Sequence, residues 1–410
     1  MKINLSEKTT LQIISLFVQI IFVFFTVFFG VYVYEMSNDL NFVMAYSLFQ
    51  SIATLGIEFI IAKFASDRVL RILYKLSFAM ALVATALTFT ISKDTLYMVF
   101  ITQFVYGITT AFYYTSYEVA TMDKNNKKQM KKFVGINSLL TLLAGTLSPF
   151  LSGFIIDYVS YYVLFGILFA CALVCLILSF NVKQLCKIDY KASFRQFLKI
   201  THSYKSIKMG LAGYGLFKFG QDGLIELLLP VLIFMRTGGN FSVGLYSALA
   251  TLVAGIVLFI YITYATNKKV AMWVATVVLC AGSIIMIFSG SIITFFVYYF
   301  VKKITKEILK NCIYTHVFTF SNGTIAEPFK VEQRLTYSIY NKFYMTLSYG
   351  LAYLIYNLIK SEVSLTILLV ILSLVQILST YFILKAEKLR ETEIDEKNKT
   401  GLNMTLENIK

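Results

Sequence analysis

The chain has 410 residues, of which 58% are hydrophobic and only 14% are charged, and its mean hydropathy is +0.72. Because soluble domains are about one quarter charged, this composition excludes an ordinary soluble domain and predicts an all-α membrane protein. The formal net charge of +15 would suit a nucleic-acid partner, unless the membrane accounts for the position of the basic residues.

The first apolar segment is predicted to be a transmembrane helix and not a cleaved signal. Lys2 and Lys8 precede an apolar run over 11–34, which is long enough to span a bilayer and has no small-residue cleavage site behind it. The pattern continues along the chain. Twelve transmembrane helices are predicted near 11–34, 40–62, 72–91, 95–121, 133–157, 159–182, 206–235, 240–264, 270–289, 291–320, 335–358 and 363–385.

The basic residues indicate how these helices are oriented. Lys and Arg are concentrated at both chain ends and in every second connection, whereas the other connections carry only Lys93, Arg236 and Lys360. By the positive-inside rule, both termini are predicted to be cytoplasmic. The abundance of Lys, Asn, Ile, Phe and Tyr suggests an AT-rich bacterial genome, and hence the bacterial plasma membrane. Topology thus explains the net charge, and we expect no nucleic-acid partner.

The chain repeats one stretch at an offset of 200 residues. Residues 46–68 align without a gap with 246–268, and five aligned positions are identical. A parallel repeat of about half the chain predicts two similar helical bundles. The predicted parts are a six-helix bundle (1–182), a basic cytoplasmic loop (183–205), a second six-helix bundle (206–385) and a charged cytoplasmic tail (386–410), expected to be mobile.

The loop between segments two and three resembles a family signature. Asp67, Arg68 and Arg71 match the loop signature of the major facilitator superfamily, whereas Lys63 and Leu70 stand where that signature has glycine. The tight helix packing that those glycines allow is therefore not expected here.

The resemblance implies both a fold and a role for this loop. It covers about 11–385 and implies a transporter that works by alternating access between two six-helix bundles. In that family the loop carries a charge relay that helps to hold one conformation, with partners near the ends of neighbouring helices. Glu118 or Asp123 is the predicted partner in this chain.

The charged residues within the segments indicate which helices line the interior. A charge at the bilayer centre costs roughly 2.5 to 3.5 kcal/mol, so it usually faces a bundle interior or a wet cavity. Segments three, six, nine and twelve have uncharged cores, whereas segments two, four, seven, ten and eleven carry charges. In the major facilitator fold, helices three, six, nine and twelve are outer supports, and helices one, four, seven and ten line the central cavity.

Segment seven carries Lys218, Asp222 and Glu226 at intervals of four residues, which places them on one face of a continuous helix. Asp222 or Glu226 is the predicted carrier of a coupling proton, because an acid within a spanning helix is often part of a proton relay. Alternatively, Lys218 forms an ion pair with Asp222 or Glu226 that only satisfies buried charge.

Segment ten has a short apolar run followed by Lys302, Lys306 and Lys310 on one helical face. Lys303 and Glu307 are expected to pair, and the other three lysines cannot all be neutralised locally. One hypothesis is that these lysines face a water-filled cavity and attract an anionic substrate or lipid headgroup. The alternative is that they snorkel, or pair across the bundle with the acids of segments four and seven.

Segment five contains a run of small residues around a proline. It resembles the glycine-rich element of the exporter branch of the superfamily, with alanine and serines in place of glycines, and it therefore favours export. Small residues at these spacings also suit ordinary close packing of helices. The residues of this element are Ala144, Ser148, Pro149, Ser152 and Gly153.

Further polar residues are predicted to line the cavity together with Lys218. A single histidine in a bundle is more often structural than part of a proton relay, so His316 is a weak candidate for a relay. The polar candidates are Gln19, Gln103, Tyr106, Asn137, Gln221 and His316.

We expect no enzymatic activity and no cofactor. No nucleophile triad, metal-ligand cluster or phosphate-binding glycine loop appears in the sequence. The five cysteines lie mostly in or beside apolar helices, where cysteine behaves as a small hydrophobe, so neither a metal site nor a disulfide is predicted.

The sequence therefore predicts a monomeric secondary transporter in a lipid bilayer, with proton-coupled export of a small molecule as the favoured function. The basic residues of segment ten favour an anionic or lipid-like substrate. Two other functions on the same fold stay open, a flippase for lipids or glycolipids and an uptake symporter. A receptor or scaffold that transports nothing is less favoured, and a membrane-embedded enzyme is less favoured still.

Overall fold

Almost every described residue of the chain is helical, as expected for a backbone that must satisfy its own hydrogen bonds in lipid. The computed structural model describes residues 7–64, 66–122, 127–182, 194–222, 224–265, 267–289, 291–321, 331–359 and 362–407. No strand occurs within these ranges.

The first half contains six crossings, the first of which is interrupted by a π-helical turn over Phe24–Phe28. A single helix forms each of the others. The helices of this half are α1 (Glu7–Val23), α2 (Phe29–Ser37), α3 (Leu40–Phe64), α4 (Asp67–Thr88), α5 (Met98–Met122), α6 (Lys127–Tyr158) and α7 (Tyr161–Ser179).

The second half also contains six crossings, and here the seventh crossing of the chain is interrupted. A short helix, α8 (Phe194–Ser203), precedes it. The helices of this half are α9 (Lys205–Gln221), α10 (Leu224–Thr237), α11 (Asn240–Tyr264), α12 (Lys268–Ser289), α13 (Ile292–Ser321), α14 (Val331–Ile359) and α15 (Glu362–Glu407).

Twelve successive crossings bring both ends of the described chain to one side, here called the terminal side; the other side is called the distal side. In the described part of the chain, eight helices are long and apolar enough to span a membrane by length and composition alone. The fourth, seventh, tenth and eleventh crossings are not among these eight, and the seventh consists of two shorter helices of 17 and 14 residues.

The two halves repeat their local structure as well as their sequence. Helices α3 and α11 begin and end 200 residues apart. The turns before them contain Asn38 (φ 49°) and Gly238 (φ 71°), the described residues with positive φ. Both turns need a left-handed residue, a conformation that Asn and Gly adopt most readily. The side chains of Ser66 and Asn267 cap α4 and α12, respectively.

Three pairs of helices carry the main contacts between the halves: α6 with α11, α3 with α14, and α2 with α10. Within the second pair, the hydroxyl oxygens of Ser51 and Thr346 are 2.7 Å apart. The α2–α10 contact joins the distal parts of the first and seventh crossings. The terminal-side parts of these crossings, α1 and α9, pack mainly within their own halves. The structure is therefore closed on the distal side.

The charged tail differs from its prediction, because the last helix continues to Glu407 instead of ending near 385. Its Glu393 carboxylate accepts hydrogen bonds from the backbone N–H (3.2 Å) and the hydroxyl of Ser206, at the start of α9. The carboxylate thereby caps a helix end whose own N-cap residue, Tyr204, provides no side-chain bond.

Candidate functional site

The charged residues of the seventh crossing lie at a break in the helix. Lys218 is in the last turn of α9, Asp222 follows the end of that helix, and Glu226 is in the first turn of α10. The predicted continuous helix is thus wrong at this point. Gly220 adjoins the break, and glycine is a poor helix former, which makes an interruption inexpensive here.

The glycines of α9 allow two neighbouring helices to pack closely against it. Close approach of α15 leaves no room for a side chain at Gly213, and close approach of α14 leaves none at Gly215 on the opposite face of α9. A methyl group at Gly213 would lie 3.1 Å from the carbonyl oxygen of Ser379, and one at Gly215 would lie 2.6 Å from the ring of Tyr344. Beyond these contacts, Asp222 pairs with Lys218 and meets Lys306 of α13.

Lys306 of α13 joins the two acids of the seventh crossing. Its Nζ lies 2.6 Å from Asp222 Oδ1 and also pairs with Glu226 Oε1. Lys218 pairs with the other oxygen of Asp222, as one of the sequence alternatives proposed. Lys303 Nζ lies 3.6 Å from Glu226 Oε1. These five side chains are at most 25% exposed, so the pairs are largely shielded from water.

Two further features of α13 differ from expectation. The predicted Lys303–Glu307 pair is wrong, because Lys303 turns to the acid of α10 and Glu307 instead pairs with Lys310 at 3.7 Å. Lys310 is 42% exposed and lies apart from the cluster. Lys302, in contrast, is fully buried, and its Nζ has no hydrogen-bond partner among the described residues.

We call the six residues Lys218, Asp222, Glu226, Lys302, Lys303 and Lys306 the charge cluster. Four lysines against two carboxylates give it a formal excess of two positive charges when all are ionised. Such an excess between two spanning helices favours negatively charged ligands, because a low-dielectric surrounding strengthens their attraction.

The loop that resembles the family signature lies at the start of α4. Asp67 Oδ2 and Arg71 Nε form an ion pair at 2.9 Å, and Arg68 is exposed. Leu70 is buried, and its carbonyl oxygen accepts a hydrogen bond from Ser116 Oγ of α5 at 3.1 Å, so leucine is accommodated where the signature has glycine. The predicted partners, the Glu118 side chain and Asp123, lie outside the described residues.

The small-residue element of α6 faces α11 across the boundary between the halves. A methyl group at Gly153 would lie 3.2 Å from the Cα of Gly244, and one at Gly244 would lie 3.1 Å from the carbonyl carbon of Pro149. Nearby on α6, Ala144, Ser148 and Ser152 are buried. The element therefore brings the backbones of two helices close together.

Several of the polar residues predicted to line the cavity are buried in the described structure. Gln19 is half-buried, but Gln103 and Gln221 are each only 1% exposed and lie within helix packing. Tyr106 is also buried and stacks on Phe25, with ring centroids 4.0 Å apart. The side chains of Asn137 and His316 lie outside the described residues.

The part of the chain that the structure describes contains no cluster of His, Cys, Asp or Glu suited to a metal ion. Its cysteines are buried and free, and Cys186 lies outside the described residues. The free cysteines are Cys171, Cys175, Cys280 and Cys312.

Sequence reasoning missed a polar network on the distal side, which we call the distal network. Asp157, near the end of α6, accepts hydrogen bonds from the backbone N–H groups of Asn240 (3.2 Å) and Phe241 (2.7 Å) at the start of α11. The Asn240 side chain donates to Glu35 of α2 (2.7 Å) and accepts from Tyr161 of α7 (3.0 Å). The sequence contained one signal of this network. Asp39 precedes α3, whereas the equivalent position before α11 is occupied by a glycine.

Comparison with known proteins identifies the fold. Residues 14–353 match the sequence model of the Major Facilitator Superfamily. Among solved structures, the human organic anion transporter MFSD10 (TETRAN) has a TM-score of 0.63 at 12% identity, covering 93% of this chain and 100% of that chain. A search of curated proteins found no significant match.

Two further structures show the same architecture. A bacterial homologue of the human lysosomal transporter Spinster, in an inward-facing and unoccupied conformation, has a TM-score of 0.63 at 13% identity and covers 94% of this chain and 98% of that one. A POT family transporter in complex with a thioalcohol-conjugated peptide has a TM-score of 0.67 at 12% identity, with coverages of 93% and 96%. At these identities the likeness shows the fold alone.

Proposed function

Because the chain belongs to the Major Facilitator Superfamily, we propose that it is a secondary transporter that moves a small anionic molecule across the membrane together with protons. The two halves would expose the charge cluster to each side in turn, which is alternating access. By the positive-inside rule the terminal side is cytoplasmic, and the membrane is the plasma membrane of a bacterium.

The observation that carries this proposal is the excess of lysine in the charge cluster. Asp222 and Glu226 can balance two of the four lysines. Among these pairs, the one between Lys303 and Glu226 is the most exposed, with side chains 25% and 23% exposed, so it is the pair most accessible to an anion. A bound carboxylate or phosphate would provide the charge that the protein lacks there.

The same pairs suggest how a proton is coupled to the substrate. When Glu226 binds a proton, it no longer holds Lys303 and Lys306, and both ammonium groups become available to the anion. Proton and anion are then bound in the same state, which predicts co-transport. Asp222 is the second candidate for the proton, and protonation of Asp222 would free Lys218 as well.

Export by exchange with protons is the second candidate function. The small-residue element of α6 favours it, since that element resembles the one in exporters and joins α6 to α11. The two functions differ in the direction of proton movement relative to the anion, which can be measured. A co-transporter carries proton and anion in the same direction, whereas an exchanger carries them in opposite directions.

The test uses the full-length protein in liposomes that contain a pH-sensitive dye. Small carboxylates, organic phosphates, a lipid-like anion and matched neutral and cationic compounds are added outside in turn. We expect internal acidification with one class of anion and none with neutral analogues. Alkalinisation would instead indicate exchange. No response to any anion from folded protein, or an equal response to neutral analogues, would refute the proposal.

Two variants connect this response to the charge cluster. Lys306→Gln is expected to reduce transport of the anion at least about tenfold, because losing one partner of a buried charge pair costs about 2–5 kcal/mol. Glu226→Gln is expected to abolish the coupled change of pH. Glu307→Gln is the matched control, since Glu307 pairs with Lys310 away from the cluster. Equal effects of all three changes would show that the cluster is only structural.

A further inference from the structure

The distal network contains a helix cap that one half supplies to the other. In the first half, α3 is capped locally, because Asp39 Oδ1 accepts a hydrogen bond from the Asn41 N–H at 2.8 Å. In the repeat, the residue before α11 is Gly239, which has no side chain to act as a cap. Asp157 of the first half takes its place.

Because Asp157 replaces a local capping residue, the cap of α11 is also a bond between the halves. A carboxylate at a helix N-terminus satisfies orphan N–H groups and interacts favourably with the helix dipole. Here the carboxylate belongs to α6 and the helix is α11, so the cap is lost when the halves separate on the distal side. The closed distal side therefore includes two hydrogen bonds from α11 to Asp157.

A second carboxylate strengthens the same bond. Glu35 of α2 accepts a hydrogen bond from the Asn240 side chain at 2.7 Å, and Asn240 itself is only 4% exposed. Tyr161 of α7 donates to the other atom of that amide at 3.0 Å. Three helices of the first half thus hold one residue of α11.

Among the described residues, no cation pairs with either of the two carboxylates. Neither Glu35 nor Asp157 forms an ion pair with any described residue. The other ionisable groups facing them are Tyr32 of α2 and Tyr161 of α7. Arg236, the cation at the distal end of α10, lies over the ring of Phe295, 4.5 Å from its centroid. A proton is therefore the ligand best suited to neutralise either carboxylate.

We propose that Glu35 and Asp157 form a second proton-binding site, separate from the charge cluster, whose protonation releases the distal contact between the halves. The proposal rests on the proposed proton coupling and adds the place where a proton from the distal side acts. The direction of the pH effect follows directly from the hydrogen bonds. Ionised carboxylates accept from α11 and keep the distal side closed, so closure is lost as the pH falls.

The test measures the conformation of the full chain and needs no substrate. Spin labels are placed at Lys93→Cys and Ile293→Cys, two exposed distal positions in different halves, after replacement of the native cysteines. The distance between the labels is measured in lipid nanodiscs between about pH 8 and about pH 4.5, the range that includes carboxyl titration. We expect a population with a longer distance that grows as the pH falls.

The decisive variant is the double change Glu35→Gln with Asp157→Asn, which imitates the protonated carboxyls. It is expected to raise the long-distance population about tenfold at pH 8, comparable to the loss of one hydrogen bond to a charged group, because an amide has one acceptor oxygen for the two N–H groups that Asp157 holds. It should also remove most of the pH response. Asp94→Asn is the matched control, because Asp94 is an exposed distal carboxylate outside the network. The control should respond to pH as the unmodified chain does.

A further variant and a second pair of labels distinguish opening of the distal side from unfolding. Gly239→Ser gives α11 its own neutral cap and makes Asp157 dispensable, so it should also favour the distal-open state. Labels at Lys63→Cys and Lys268→Cys on the terminal side should approach each other as the distal pair separates, which unfolding would not produce. An unchanged distal distance across the pH range would overturn the proposal. So would an unaltered pH response in the double variant.

These results are independent of transport. Failure to find a transported anion would leave the conformational response to pH intact, whereas a pH-insensitive distal distance would leave the charge cluster as the only proton site.

Discussion

Lys306 is the residue on which the charge cluster depends. It is shared by Asp222 and Glu226, which lie on either side of the break between α9 and α10, and only 9% of its side chain is exposed. Removing one partner of a buried pair leaves the other charge without compensation, which is more costly than losing both. Lys306 therefore holds the two parts of the seventh crossing against α13.

We predict that Lys306→Met lowers the free energy of unfolding by about 3–5 kcal/mol, as is typical when one partner of a buried ion pair is removed. Lys310→Met is the matched control. Its ion pair with Glu307 is 42% and 34% exposed, so the expected loss is at most about 1 kcal/mol. Chemical denaturation of the purified protein in detergent micelles measures both values.

The combination of Lys306→Met with Glu226→Gln sharpens this prediction. Removing the charge of Glu226 as well should lower the stability further, because the three remaining lysines of the charge cluster would then face Asp222 alone. Equal destabilisation by Lys306→Met and Lys310→Met, or a gain of stability in the double variant, would show that the pairing seen here contributes little.

At the scale of elements, the contact between α6 and α11 is set by glycine. The Cβ of any larger residue at Gly153 would lie 3.2 Å from the Cα of Gly244, tighter than ordinary contact, and backbone atoms cannot move aside as a side chain can. The distal network lies at the end of the same contact, so packing and hydrogen bonding hold the halves together at one place.

We predict that Gly244→Ala separates α6 from α11 and lowers stability by about 1–3 kcal/mol, the usual cost of overpacking. Gly166→Ala is the matched control, because a methyl group at Gly166 would meet nothing within 4 Å. Thermal denaturation followed by size-exclusion chromatography compares the two variants. A loss in Gly166→Ala as large as that in Gly244→Ala would reject the packing argument.

The interruptions of the first and seventh crossings are also features of elements. The π-helical turn ends at Phe28, and the break in the seventh crossing follows Gln221, which places both near the middle of their crossings. Distal to them, α2 packs against α10. The interruptions therefore separate the closed distal parts of the two crossings from the terminal-side parts that pack within each half.

At the scale of the whole molecule, twelve crossings place the connections after α3 and α11 on the same side and the connection after α4 on the opposite side. We predict that Lys63→Cys and Lys268→Cys react with a membrane-impermeant maleimide only after permeabilisation of bacterial spheroplasts, whereas Lys93→Cys reacts in intact ones. All three lysines are exposed, so burial does not limit their labelling. Labelling of Lys63→Cys and Lys268→Cys from opposite sides would contradict the topology.

The sequence by itself determined the number and order of the crossings, because an apolar segment of about 20 residues in lipid satisfies its hydrogen bonds within its own helix. The repeat at 200 residues likewise predicted two equivalent halves, and α3 and α11 show this correspondence at both ends. Gly239 marked the missing cap, but no local pattern could show which residue replaces it.

Only the tertiary structure decided which charges meet. Lys303 has an acid four residues away in Glu307, yet it lies beside Glu226, 77 positions earlier in the chain. Asp157 caps a helix that begins 83 residues later. Such pairings depend on how close two helices approach and on where a crossing breaks. The helix distances and the position of the break depend on the packing of α9 against α15 and of α6 against α11. That packing is a property of the assembled bundle.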